Sequence, residues 1–384
     1  MNKIRIGVIF GGRSGEHEVS VRSARAVIEA IDREKYEVVP LAIDKTGKWL
    51  SQTESAALLP AGTQALLYGG EDGENAGVEH DETQAIALIG DPTYRGLTKL
   101  PDSNNKLTVE KIDVVFPVLH GTYGEDGTIQ GLFEMAGIPY VGCGVLASSC
   151  GMDKVTMKVL FRDVGLPMCR YTWFLRRDYE RAPEAALERI KNELDFPVFV
   201  KPANLGSSVG ISRADDDESL RKAIELAARF DRKIIVEEGL DAREIEVAVI
   251  GNDEPQASLP GEYIIFDETA KFLDYEEKYK GTGHNEFVVP APLEAEMIEQ
   301  IRDLAKIAFK AVDGSGLSRV DFFLRRDNGE LLINEINTLP GLTEVSGFPK
   351  MWAASDKPFS QVIDELVALA VERFDDKSRN QTSI

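Results

Sequence analysis

Residues 316–343 read GLSRVDFFLRRDNGELLINEINTLPGLT, and this stretch decides the fold of the C-terminal half. Two apolar runs of strand length, roughly 318–324 and 331–336, flank Arg325-Arg326-Asp327-Asn328-Gly329. Asn-Gly between such runs signals a β-hairpin. Side chains repeat every two residues along a strand, so Arg319 and Asp321 share one face, and Glu335 and Asn337 share a face of the partner. Paired across the turn, Asp321, Glu335 and Asn337 converge as an all-oxygen set. Hard Mg²⁺ prefers oxygen ligands and binds through few carboxylates plus nucleotide phosphates. Arg319 stands beside them to hold developing negative charge. The same spacing equally describes a solvated face with ordinary ion pairs, and on spacing alone both readings stand.

Upstream of the hairpin, a helix is expected at 293–311, and 267–286 is polar, charged and glycine-bearing, as in a long loop. Strands are expected at 233–237 and 244–250, with a helix at 217–229. Residues 197–202, PVFVKP, read as a strand, and Gly206-Ser207-Ser208-Val209-Gly210 follows. Backbone amides of such a loop can cradle phosphate oxygens, with serine hydroxyls donating and Lys201 adding charge. The pattern is not the P-loop G-x-x-x-x-G-K-[ST], and a surface turn with an incidental lysine fits as well. Lys154, at the start of a short helical pattern, is by itself an ordinary solvated lysine. A longer helix at 183–194 completes a small central α/β unit.

At the N-terminus, IRIGVIF at 4–10, the Gly11-Gly12 turn, a helical stripe from Glu18 to Ile31 and VVPLAI at 38–43 make a βαβ unit. This predicts an open, mostly parallel sheet. The glycines do not form a dinucleotide fingerprint. A third strand at 112–119 leads to His120, and a helix runs from Thr128 through Ala136. His120 lies at the carboxyl end of a strand, where functional side chains gather in such sheets. Glu18, at a helix start, can face the same crevice or be a plain helix-start charge. His17, His80 and His284 are dispersed, which argues against a zinc cluster. A domain boundary is expected near 140–150, and the Gly-, Asp- and Glu-rich stretch 60–82 reads as an exposed excursion. A last helix is expected at 358–372.

The 384 residues carry 65 acidic against 44 basic side chains, a formal charge of -21. That balance argues against nucleic acid or an anionic membrane as partner, since both require a cationic surface. Three cysteines, Cys143, Cys150 and Cys169, have neither metal spacing nor an even disulfide count and fit a reducing compartment. No signal peptide and no 18-residue apolar run is present, so the expected location is cytoplasmic.

Several separated motifs coincide with one known pattern: FGGRSGEHEVS at 10–20, PVLHGTYGEDGTIQG at 117–131, GMDK at 151–154, FVKPANLGSSVG at 199–210, GLSRVDFF at 316–323 and NEINTLPGLT at 334–343. Together, in this order and over nearly the whole chain, they resemble the D-alanine–D-alanine ligases of the ATP-grasp superfamily. The resemblance implies an α/β, multidomain ATP-grasp fold: an N-terminal substrate-binding domain (1–145), a central ATP-grasp unit (146–240) and a C-terminal catalytic and metal-binding domain (241–384). It implies Lys154, Lys201, Ser208, Glu237 and Glu244 as nucleotide contacts, with Glu237 at the adenine position and Glu244 at the ribose. Glu238 occupies a position often held by lysine in related ligases. The resemblance also implies Asp321, Glu335 and Asn337 as ligands of two Mg²⁺ ions, with Mn²⁺ as a substitute.

By the same resemblance Glu18 and His120 orient the first D-alanine, with Ser346 as helper. Ser207 and Tyr279 close the site, and Arg319 and the Gly341 amide stabilise the tetrahedral intermediate. The implied reaction phosphorylates one D-alanine carboxylate with ATP, and the amine of a second D-alanine then displaces phosphate. DYEEKY at 274–279 matches the ligases that make D-Ala–D-Ala, whereas D-lactate ligases commonly carry histidine in that loop. A D-serine ligase and a nucleotide-binding regulatory protein without turnover are the alternatives. A homodimer, K⁺ activation and a role in peptidoglycan precursor synthesis belong to the same resemblance.

Overall fold

The computed structural model describes residues 3–68, 86–99, 108–206, 209–265 and 285–381. In chain order the first unit comprises β1 (Ile4–Gly11), α1 (His17–Ala30), β2 (Tyr36–Ile43), α2 (Gln52–Ala57), α3 (Ala61–Tyr68), β3 (Ile86–Leu88), β4 (Gly96–Lys99), β5 (Thr108–Lys111), β6 (Val114–Pro117) and α4 (Thr128–Ala136). β1 pairs in parallel with β2 on one side and β6 on the other. A sheet covered on both faces needs continuous apolar strands, and β1 shows why. Ile6, Val8 and Phe10 enter a core with Ala24, Val27 and Ile28 of α1, while Ile9 enters another with Leu41, Val115 and Phe133. At the end of β1, Gly11 adopts φ +87°, and a Cβ there would run into the Ile43 carbonyl. Only glycine makes that turn without strain. β3, β4 and β5 form a separate antiparallel sheet that the sequence reading did not anticipate.

The next stretch holds α5 (Val145–Met152), α6 (Lys154–Asp163), β7 (Tyr171–Leu175), α7 (Arg176–Arg181), α8 (Pro183–Glu193), β8 (Val198–Pro202), β9 (Ser212–Ala214), α9 (Asp217–Phe230) and β10 (Lys233–Glu238). The strands form an antiparallel sheet in the order β7-β10-β8-β9. One face carries Val198, Val200, Ile234 and Val236 into a core with Leu187 and Ile190 of α8 and Leu220 and Ile224 of α9. The register Ile235↔Lys201 and Glu237↔Phe199 puts Lys201 and Glu237 together on the opposite face as diagonal neighbours.

The chain then crosses to a third antiparallel sheet through 239–241. Its elements are β11 (Ala242–Gly251), β12 (Gln256–Ala257), β13 (Gly261–Ile265), β14 (Asn285–Val288), α10 (Ala295–Ala311), β15 (Gly316–Arg325), β16 (Leu331–Asn337), α11 (Gly347–Ala354) and α12 (Phe359–Ser378). The main order is β14-β13-β11-β15-β16, with β12 on β11. α10 buries Ile301, Ala305 and Phe309 against Val247, Val249, Val320 and Phe322. Ala147 of α5 and Met157 and Phe161 of α6 enter this same core, so packing ties those two helices to the C-terminal sheet. α12 returns to the first sheet, where Val362, Ile363 and Leu366 share a core with Ile6, Val8 and Val27. Among the described residues no helix is long and apolar enough to cross a membrane.

Candidate active site

The expected hairpin forms, but its turn is wider than an Asn-Gly pair. Arg325 and Glu330 close a four-residue turn, 326–329, with Gly329 at φ +72°. From Leu324↔Leu331 to Phe322↔Ile333 the ladder keeps one register; it then shifts by a residue, so that Asp321 faces Glu335 and Arg319 faces Asn337. Asn334 is the extra residue of this β-bulge. Arg319 grips Asp321 with two bonds, Nε to Oδ1 at 2.6 Å and Nη2 to Oδ2 at 2.6 Å, and its Nε lies 3.3 Å from Glu246 Oε1. Asn337 Oδ1 accepts from the Leu339 amide at 2.9 Å, starting the loop that carries Gly341 and Ser346. Ser346 and Thr343 hydroxyls lie 2.6 Å apart at the start of α11.

Facing the hairpin is a group of lysines. Lys154 Nζ lies 3.2 Å from Glu335 Oε2 and donates to the Leu205 carbonyl at 3.1 Å, below the glycine-rich loop. Glu237 sits between two ammonium groups, Lys201 at 2.5 Å and Lys158 at 2.8 Å. Burial alone would raise the Glu237 carboxyl, but Lys158 and Lys201 outweigh it and hold the group well below the usual carboxylate range. Glu244 lies just past the crossover, opposite Phe323 in the β11–β15 ladder. Glu238 pairs with Arg170 at 2.9 Å and also accepts from the Arg170 amide at 2.7 Å.

The N-terminal contribution corrects one expectation. Glu18 does not enter the crevice: its side chain is 72% exposed and pairs with Lys45 at 2.8 Å. Glu16, two residues earlier at the N-cap of α1, is the buried carboxylate that lines the cleft. The signal was present in the sequence, because Glu18, Arg22, Arg25 and Glu29 fall at i, i+4, i+7 and i+11, the polar stripe of α1. His120 is also set back. It is buried, its Nδ1 lies 3.1 Å from the Leu339 carbonyl and 3.6 Å from Glu125 Oε1, and its Nε2 lies 3.0 Å from Ser23 Oγ. Burial pulls its pKa down, but the nearby carboxylates of Glu125 and Glu16 outweigh this and raise it. Thus Glu125, rather than His120, reaches the cleft wall.

These parts enclose one cleft of about 1060 Å³, counted to its open mouth. Of the expected residues, Lys154, Arg319, Glu335, Asn337, Gly341 and Ser346 line it. Asp321 is held behind Arg319, Lys201 and Glu237 lie on the adjoining sheet face, and His120 stands behind Glu125. Ser207, Ser208 and Tyr279 lie outside the described residues, as does most of the 267–286 stretch. The sequence reading missed Glu16, Glu125, Glu246 and Tyr263, all of which line the cleft.

Among the described residues no group of three or more His, Cys, Asp and Glu side chains is arranged to hold a metal ion. What the hairpin offers is two carboxylates and an amide oxygen. That hard-oxygen set fits a divalent cation whose remaining ligands are phosphate oxygens and water.

The chain is similar to known proteins over nearly its whole length. Residues 5–143 match the family described as D-ala D-ala ligase N-terminus, and residues 160–368 match D-ala D-ala ligase C-terminus. A D-alanine–D-alanine ligase of Ruminiclostridium cellulolyticum is 47% identical over 384 residues, covering 100% of this chain and 99% of that one. One from Heliobacterium modesticaldum is 47% identical over 384 residues, covering 100% and 98%. Among solved structures, the VanG D-Ala:D-Ser ligase from Enterococcus faecalis has a TM-score of 0.81 at 35% identity, covering 96% of this chain and 100% of that one. The D-alanine-D-alanine ligase from Coxiella burnetii has a TM-score of 0.81 at 33% identity, covering 99% and 97%.

Proposed function

The chain belongs to the D-alanine–D-alanine ligase family and is an ATP-dependent ligase joining two D-alanine molecules for cell-wall synthesis, and from that premise we propose how its side chains divide the work. The observation that carries the proposal is the meeting, in one cleft, of Lys154, Arg319, Glu335, Asn337, Gly341 and Ser346. ATP lies between the β7-β10-β8-β9 sheet and the β14-β13-β11-β15-β16 sheet. Glu237 and Glu244 flank the crossover between those sheets, where the adenine and ribose bind. Lys154 and Lys201 point cationic ends at the phosphates, and the 206–210 loop, with Ser207 and Ser208, supplies donors to them. Asp321, Glu335 and Asn337 would hold two Mg²⁺ ions, which when bound would neutralise charge on the transferring phosphoryl group.

The first D-alanine binds beside Glu16, which takes the place assigned to Glu18, with Ser346 at the far side. Carboxylates accept hydrogen bonds from its ammonium group. His120 acts from behind by fixing Glu125 and the Leu339 carbonyl, and so couples the first sheet to the 338–346 loop. The D-alanine carboxylate attacks the γ-phosphorus, ADP leaves, and an acyl phosphate forms. The neutral amine of the second D-alanine then attacks the carbonyl carbon. Arg319 and the Gly341 amide stabilise the oxyanion, and phosphate departs with the bridging oxygen. Tyr279 and the 267–286 segment exclude water from the acyl phosphate. The three domains are 1–145, 146–240 and 241–384, and the enzyme acts as a cytoplasmic homodimer.

The fold likeness to a D-Ala:D-Ser ligase gives a second reading of the second substrate. Competition decides between them: with ATP, Mg²⁺ and D-alanine, equal amounts of ADP and D-Ala–D-Ala are expected. Added D-serine or D-lactate should leave that product dominant. Predominant mixed product would move the assignment to the other acceptor.

A further inference from the structure

Lys158, on α6, is completely buried. Its ammonium group meets Glu237 Oε1 at 2.8 Å, the Asn334 carbonyl at 3.5 Å and Cys169 Sγ at 3.6 Å, and it lies 5.6 Å from the centre of the Tyr171 ring. Burying an ammonium ion is costly unless it is paired and hydrogen-bonded, and these partners come from three separate parts of the chain. Asn334 is the bulge residue next to Glu335. The other oxygen of Glu237 belongs to Lys201, at 2.5 Å. One carboxylate therefore serves two lysines, and of these Lys158 has no surface through which to reach a phosphate.

We propose that Lys158 is a positioning residue for the base of ATP: it keeps the Glu237 carboxylate in place when the nucleotide phosphates draw Lys201 away. The inference rests on the placement of Glu237 at the adenine. A carboxylate only accepts hydrogen bonds, and the 6-amino group of adenine is a donor. With Oε1 anchored on Lys158, the oxygen released by Lys201 is the one presented to that amine. Without the anchor, the carboxylate follows the departing lysine and the base loses its acceptor. The bond to Asn334 ties the same ammonium to the strand that carries Glu335, so base and metal-binding strand are located from one point.

The test compares ATP with purine riboside triphosphate, which lacks the 6-amino group, at saturating D-alanine. Wild-type enzyme should favour ATP by roughly tenfold or more in kcat/KM, the size expected of a hydrogen bond to a charged group. Lys158→Met should lose most of that preference through a higher KM for ATP, with the KM for the analogue and the kcat little changed. A Lys158→Met enzyme that keeps the wild-type preference and loses only thermal stability overturns the proposal. If that variant does not fold, Lys158→Met/Glu237→Gln, which removes the buried ammonium together with the carboxylate it faces, is compared with Glu237→Gln alone. Equal preference in the two supports action through Glu237, and a further loss in the double variant overturns it. A wild-type enzyme that uses both triphosphates equally removes Glu237 from the base, and the proposal falls with that placement.

Discussion

Asp321 and Glu335 stand directly opposite each other across the β15–β16 ladder because Asn334 is accommodated as a bulge one residue away. Ile333 and Ile336 are both buried in the same core although they are three residues apart, which strict alternation forbids. Had the register of Phe322↔Ile333 continued, Asp321 would face Asn334 and Glu335 would turn towards the core. The bulge therefore puts a second carboxylate on the cleft face while the apolar side chains on either side of it stay inside.

Glu335→Gln removes a charge from this face and leaves the core untouched. Turnover should fall by about 10²–10³-fold, while the thermal midpoint moves by only a few degrees. Both are read on one preparation, by ADP release and by calorimetry. Near-normal turnover would remove Glu335 from the phosphoryl-transfer machinery.

Glu16 and Glu18 are two residues apart and face different surroundings. Glu16→Gln should reduce D-Ala–D-Ala formation by more than about tenfold, as expected for a buried charged contact to substrate. Glu18→Gln removes only an exposed ion pair, of a kind that contributes about 0–1 kcal/mol, and should leave kcat and both D-alanine KM values near wild type. The reverse ranking would restore the role to Glu18.

His120 carries a pH prediction. The groups facing it are Glu125, Glu16, Ser23 and the Leu339 carbonyl. Its folded-state pKa is raised above the ordinary 6.5, so the folded protein binds this proton more tightly than the unfolded chain does. The resulting stabilisation is complete below about pH 6.5 and is lost as pH rises through the folded-state pKa. Glu125→Gln should lower that pKa in a titration followed by NMR of the ring proton. The gap in thermal midpoint between wild type and Glu125→Gln should shrink from acid to alkaline pH. A ring pKa unmoved by the substitution contradicts the assignment of Glu125 as its partner.

Much of this was legible because local pattern and tertiary packing agree. β1, α1, β2 and α4 follow apolar periodicity and glycine turns, and Arg319 with Asp321 needs only the two-residue repeat of a strand. What was hidden depends on distant partners. β7, Tyr171–Leu175, is a strand because β10 lies beside it about sixty residues later, and short strands are specified by such neighbours more than by their own composition. The Asn334 bulge follows from the demand that Ile333 and Ile336 both be buried. Glu16 and Glu18 sit in the same motif, GEHEVS, and only the polar stripe of α1 separates them. Lys158 carries no motif signal, and its burial against Glu237 emerges only when α6 packs under β10 and β16.

The central claim is that the cleft activates a D-alanine carboxylate as an acyl phosphate. It is tested most directly with D-alanine labelled by ¹⁸O in both carboxylate oxygens, followed by mass analysis of the released phosphate. The account predicts one ¹⁸O in each phosphate, with ADP unlabelled and one D-Ala–D-Ala formed per phosphate. Unlabelled phosphate alongside normal dipeptide, or label appearing in AMP, would contradict it.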